Sequence, residues 1–63
     1  MDALLLRGED AARALSMSRA MLYRLVKEGK IPYVRMGGML RFHPDDLREW
    51  VETQRRAHEA KTA

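Results

Sequence analysis

Sixty-three residues with no cysteine make one small domain. A domain of this size buries only about 60% of its unfolded surface, neither disulfide nor thiolate metal can reinforce it, and a stability of ~3–5 kcal/mol is expected. The longest unbroken apolar run, Ala3 to Leu6, is too short to cross a bilayer or to serve as a signal-peptide core, so a cytoplasmic protein without membrane contact, and without a deep enzyme pocket, is expected. The net charge of +3 is segregated: Arg13, Arg19, Arg24, Lys27, Lys30, Arg35 and Arg41 stand against Glu28 alone, while the remainder of the chain is acidic on balance. Such segregation points to one face built for a polyanion rather than an evenly solvated surface.

In chain order, Leu4-Leu5-Leu6 leads into a first helix. Glu9 and Asp10 sit in its first turn, where carboxylates suit the positive end of the helix dipole, and Ala11, Ala12 and Leu15 recur at helical spacing. Ser16-Met17-Ser18 interrupts the run after about two turns. Ser18 is a suitable N-cap for a second helix whose Leu22, Leu25 and Val26 form one inward stripe. Gly29 suits a left-handed C-cap, and Pro32 prevents the helix from resuming. Two helices joined by so short a break fit a helix-turn-helix.

Tyr33 to Phe42 reads as a β-hairpin around Gly37-Gly38. A three-residue loop would pair Met36 with Leu40 and Val34 with Phe42, gathering the apolar side chains on one face and setting Arg35 opposite Arg41 on the other. That register is preferred here over a two-residue loop, which mixes charged and apolar groups on one face. His43 before Pro44 suits the N-cap of a third helix, with Asp45 and Asp46 in its first turn and Leu47, Trp50 and Val51 as its buried stripe. The expected domain covers residues 1–52, and 53–63 form a polar C-terminal tail whose last residues fray. The fold class is mainly α with a small β-hairpin: three short helices and a two-stranded wing.

The second helix carries the chemistry. Arg19, Ala20, Tyr23, Arg24 and Lys27 project mainly away from its buried stripe, with Met21 nearby. In a helix-turn-helix the N-terminal half of this helix enters the major groove of DNA, where an arginine bonds guanine O6 and N7 and a tyrosine bonds a phosphate. Ser18 can cap the helix while its first N–H groups face a phosphate. Arg35 and Arg41, directly opposed in the preferred register, would repel one another unless an anion or a minor groove lay between them. His43, Asp45 and Asp46 are explained as a helix cap rather than a metal cluster, and no residue has a convincing catalytic-triad partner.

The ordered set Glu9-Asp10-Ala11-Ala12, Met17-Ser18-Arg19, Leu22-Tyr23-Arg24-Leu25, Gly29-Lys30-Ile31-Pro32, Val34-Arg35-Met36-Gly37, Arg41-Phe42 and Asp46-Leu47 with Trp50 resembles the excisionase-type helix-turn-helix domains, relatives of the DNA-binding part of MerR-type regulators. The resemblance runs from Leu5 to Val51. It implies a winged fold, a recognition helix in the major groove and a hairpin wing at the adjacent minor groove or backbone. The interface it implies comprises Ser18, Arg19, Ala20, Met21, Tyr23, Arg24, Lys27, Arg35 and Arg41. Two positions depart from the pattern. Gly38 and Met39 stand where members often carry basic wing-tip residues, and Met21 stands where a small hydroxyl residue is common.

The expected function is sequence-selective binding of double-stranded DNA without catalysis or cofactor. An excisionase-like recombination directionality factor working with an integrase or recombinase is favoured over a compact transcription regulator, with a protein-interaction module that has lost DNA binding as the third reading. The residues after Trp50 show no sustained heptad pattern. A monomer in solution is therefore expected, with head-to-tail assembly on DNA through Asp45-Asp46 and Arg55-Arg56.

Overall fold

The computed structural model describes residues 3–62, with side chains described as far as residue 59. Five elements follow one another: α1 (Gly8–Ala14), α2 (Arg19–Lys27), β1 (Val34–Met36), β2 (Met39–Arg41) and α3 (Pro44–Thr62).

The turn between α1 and α2 is closed by hydrogen bonds. Ser16 N–H donates to the Arg13 carbonyl at 3.1 Å and Met17 N–H to that of Ala12 at 2.9 Å, with Ser16 left-handed at φ +56°. This is a Schellman arrangement with serine in the position glycine usually takes. Ser18 then caps α2, its Oγ accepting from Met21 N–H at 3.1 Å. At the far end Gly29 adopts φ +68°, and Lys30 N–H reaches the Leu25 carbonyl at 2.9 Å, so α2 ends where its sequence signals place the cap.

The hairpin corrects the expected register. Val34 pairs with Arg41, Arg35 with Leu40 and Met36 with Met39, so the loop holds only Gly37 and Gly38. Gly37 has φ +60°, as the first central position of a type II′ turn requires. A three-residue loop would have drawn Met39 into a tight turn, whereas the glycine pair makes the turn unaided and leaves Met39 in the strand. Arg35 and Arg41 are therefore not opposite one another. Directly paired residues share a face and neighbours alternate, so the two arginines leave the ribbon on opposite faces. Phe42 pairs not with Val34 but with Leu6, each donating its N–H to the other's carbonyl at 2.8 and 2.9 Å.

Ala11, Ala12, Leu22, Ile31, Phe42 and Leu47 form the buried core, with Leu6, Leu15, Met17, Leu25, Val26, Leu40 and Trp50 packed around it. Trp50 adds a staple, its Nε1–H donating to the Lys30 carbonyl at 2.7 Å. Val51, expected in the buried stripe of α3, is 42% exposed because the first turns of α3 already cover the core with Leu47 and Trp50. The His43 Nδ1 accepts from Asp45 N–H at 3.2 Å and so caps α3 as expected.

The helix does not stop near Glu52. It continues to Thr62, although every described residue from Thr53 to Glu59 is exposed. Helix-forming side chains and the Arg55–Glu52 ion pair at 3.2 Å sustain it without tertiary cover. The whole is a winged helix-turn-helix, mainly helical, with α1 and α2 as the helix pair and β1–β2 as the wing.

Candidate nucleic-acid interface

Leu22 is fully buried and Leu25 and Val26 pack beside it, which fixes the opposite side of α2 as its outward face. At 100° per residue the centre of that face carries Ala20, Arg24 and Lys27. Arg19 and Tyr23 lie on the flank turned toward the wing, and Met21, 43% exposed, lies on the other flank. Arg24 Nε donates to the Glu28 carboxylate at 3.3 Å, and the Lys30 ammonium lies 3.4 Å from the same group. The hydrogen bond from Arg24, followed by the charge of Lys30, holds the Glu28 carboxyl below the usual glutamate range. Glu28, the one acid within the basic segment, thus turns against two of its cations.

Tyr23 is only partly free. Its ring lies over the first residue of α1, and a methyl group built at Gly8 would overlap the Tyr23 hydroxyl and stand 2.7 Å from its Cζ. The hydroxyl thus lies against the start of α1. There an open concavity of about 210 Å³ is lined by Arg7, Arg19, Tyr23 and Arg41, with Glu9 and Leu40. Arg41 is half-buried, its guanidinium tethered to the Leu40 carbonyl at 2.8 Å and to Met39 Sδ at 3.6 Å. Arg35 on the other face of the wing stands 5.8 Å from the Tyr33 ring centroid, a cation–π contact. At the tip Met36 and Met39 are paired and exposed, at 40% and 48%.

Arg7, Arg19, Lys27, Arg35 and Arg41 form no ion pair among the described residues. Four of the five are among the residues singled out from sequence. Arg7 is not, and neither is Gly8. Arg7 occupies the N-cap position of α1 without a capping bond, and Gly8 begins a helix that glycine disfavours. Those two irregularities were the signals available. A wider groove of about 650 Å³, lined by Leu4, Leu15, Pro44 and Val51 among others, is largely apolar and shares no lining residue with the smaller concavity. No described helix is long and apolar enough to cross a membrane.

A family model described as a helix-turn-helix domain matches residues 5–55. No curated protein and no solved structure matches the chain.

Proposed function

The chain belongs to the helix-turn-helix domain family, a DNA-binding family, and on that premise we propose that it binds duplex DNA sequence-selectively as an excisionase-like architectural factor. The observation that carries DNA binding is the set of cations without ion pairs on the outer side of α2 and on the wing: Lys27 and Arg19 on α2, with Arg41 beside Arg19 and Arg35 on the wing's other face. In this reading the outward face of α2 enters the major groove. Arg24 reads a guanine edge, Ala20 and Met21 offer apolar contact to a thymine methyl, and Lys27 meets a phosphate. Arg35 and Arg41 contact sugar or phosphate from the two faces of the wing.

A single module of this kind covers only ~600–1,000 Å² of protein surface on DNA, which favours several copies side by side on repeated sites. Asp45 and Arg55 are engaged within α3, by Arg48 at 2.7 Å and Glu52 at 3.2 Å, leaving Asp46 and Arg56 for head-to-tail contact between neighbours. The partner this role calls for is an integrase or recombinase. A compact transcription regulator is the second reading, and the observation in its favour is the projecting end of α3, which offers a helix for contact with another subunit.

Footprinting on the DNA flanking the gene, paired with light scattering of the free protein, separates the two. Cooperative, multi-step protection by a protein monomeric in solution supports the architectural role. A tight dimer in solution that protects a single promoter site supports the regulator. Arg24→Ala is expected to cost ~1–3 kcal/mol on the selected site and to relax preference at one base pair, whereas Lys27→Ala weakens all sequences about equally.

A further inference from the structure

Three arginines from three separate parts of the fold line the concavity between α2 and the wing: Arg7 ahead of α1, Arg19 at the start of α2 and Arg41 in β2. None forms an ion pair among the described residues, and the one carboxylate in the lining is Glu9. Like charges gathered in this way repel, and an anion seated among them reverses the cost. Tyr23 lines the same space, and its hydroxyl, which has no hydrogen-bond partner among the described residues, lies against Gly8, where only the absence of a side chain leaves it room.

We propose that this concavity seats one phosphodiester group of the duplex backbone, bound by the guanidinium groups of Arg7, Arg19 and Arg41 and by the Tyr23 hydroxyl. Arginine suits the role because its planar fork presents paired donors to phosphate oxygens. Arg41 is already tethered by the Leu40 carbonyl, so little freedom remains to be lost on binding. The seat assigns Arg19 to the backbone rather than to a base and adds Arg7 and Gly8 to the interface, Gly8 as a positioning residue acting through Tyr23. Because its ligands come from different elements, one phosphate fixes the recognition helix and the wing together on the DNA.

The inference rests on the DNA-binding reading, and the test separates the two. A duplex selected by the wild-type protein from a random-sequence pool is probed by phosphate ethylation interference with wild type and Arg7→Gln. Arg7 makes no capping bond, so this variant removes a charge without removing a cap. The expected result is one phosphate whose ethylation blocks the wild type and interferes measurably less with Arg7→Gln. Base preference should stay unchanged, and the slope of log K against log salt should fall by about 0.9. Gly8→Ala is expected to lose the same contact while keeping its helix. An ethylation pattern and salt slope in Arg7→Gln identical to wild type overturn the seat and leave DNA binding standing. Titration of the wild type with inorganic phosphate, followed by amide NMR, supplies the second arm. Shifts confined to residues 7–9, 19, 23, 40 and 41 support the seat, and no shift there counts against it. Such shifts in a wild type that binds no duplex overturn the phosphodiester assignment together with the DNA reading, and reassign the seat to a free anion.

Discussion

Replacing Trp50 by Phe isolates one interaction. The indole N–H donates to the Lys30 carbonyl at 2.7 Å and ties α3 to the segment that leads into the wing. Phe keeps an aromatic ring against the core and removes the donor. Lys30 is exposed, so water replaces the lost partner and no buried carbonyl is orphaned; the cost therefore lies near the ordinary net value of ~1 kcal/mol rather than the larger desolvation penalty. For a chain of 63 residues, an unfolding entropy of about 2.1 cal/mol/K per residue turns that into a drop of about 8 °C in Tm. Trp50→Ala also loses the packing of a half-buried ring, ~3 kcal/mol, which approaches the whole stability of so small a domain. Thermal melts followed by far-UV circular dichroism read both variants, which matters because Trp50 is the chain's sole tryptophan and fluorescence is lost with it. A Trp50→Phe melt within about 2 °C of wild type, against the shift expected from the entropy scale, would refute the staple. A cooperative, native-like melt for Trp50→Ala would refute the core assignment.

Ser16 holds a left-handed conformation that glycine adopts without strain, so Ser16→Gly is expected to raise stability by ~0.5–1 kcal/mol in urea denaturation. Ser18→Ala removes the cap of α2 and should lower it by ~1 kcal/mol in the same assay. The Glu28 carboxyl is expected to titrate below the usual glutamate range by carbon-detected NMR and to move back up in Arg24→Ala. Since its folded pKa is the depressed one, what it adds to stability is present above the unfolded pKa and is lost as pH falls through the folded pKa. Glu28→Gln releases Arg24 and Lys30, so binding to unrelated duplexes should tighten and become more salt-dependent; weaker binding would contradict the restraining role. Removing Arg35 and Arg41 together should reduce the salt slope while leaving base preference nearly intact, and an unchanged slope would mean that the wing stays off the DNA.

Much of the fold was legible because it is written in local chemistry. The Ser18 cap, the Gly29 terminus and the His43-Pro44 start each depend on residues within one turn of the feature they set. In the hairpin the pattern of facing side chains favours one register and turn chemistry another; Gly37 decides the loop, and the strands accept a mixed face. The length of α3 escaped because an exposed helix needs no apolar stripe, and periodicity detects only the buried face. Ile31, between a helix terminator and a proline, carries no periodic signal, yet it is a core residue. In the candidate site, the residues on α2 followed from helical geometry once its buried stripe was known. Arg7 and Gly8 did not, because their place beside Tyr23 and Arg41 is tertiary, created by packing α1 against α2 and the wing.

The paired hydrogen bonds between Leu6 and Phe42 also govern the order in which this domain can assemble. They join positions about 36 residues apart, and closing a loop of that length costs roughly 3 kcal/mol in chain entropy before any contact repays it. Helices α1 and α2 need only their own short turn, so they can meet early, but Phe42 is the largest of the fully buried side chains and lies far downstream. During synthesis from the N-terminus, Leu6 waits without its partner until Phe42 has been made. Until then the helix pair has no floor. Once closed, each of the two amides is protected by the other residue's carbonyl, so Leu6 and Phe42 should exchange with deuterium together, as a single opening event.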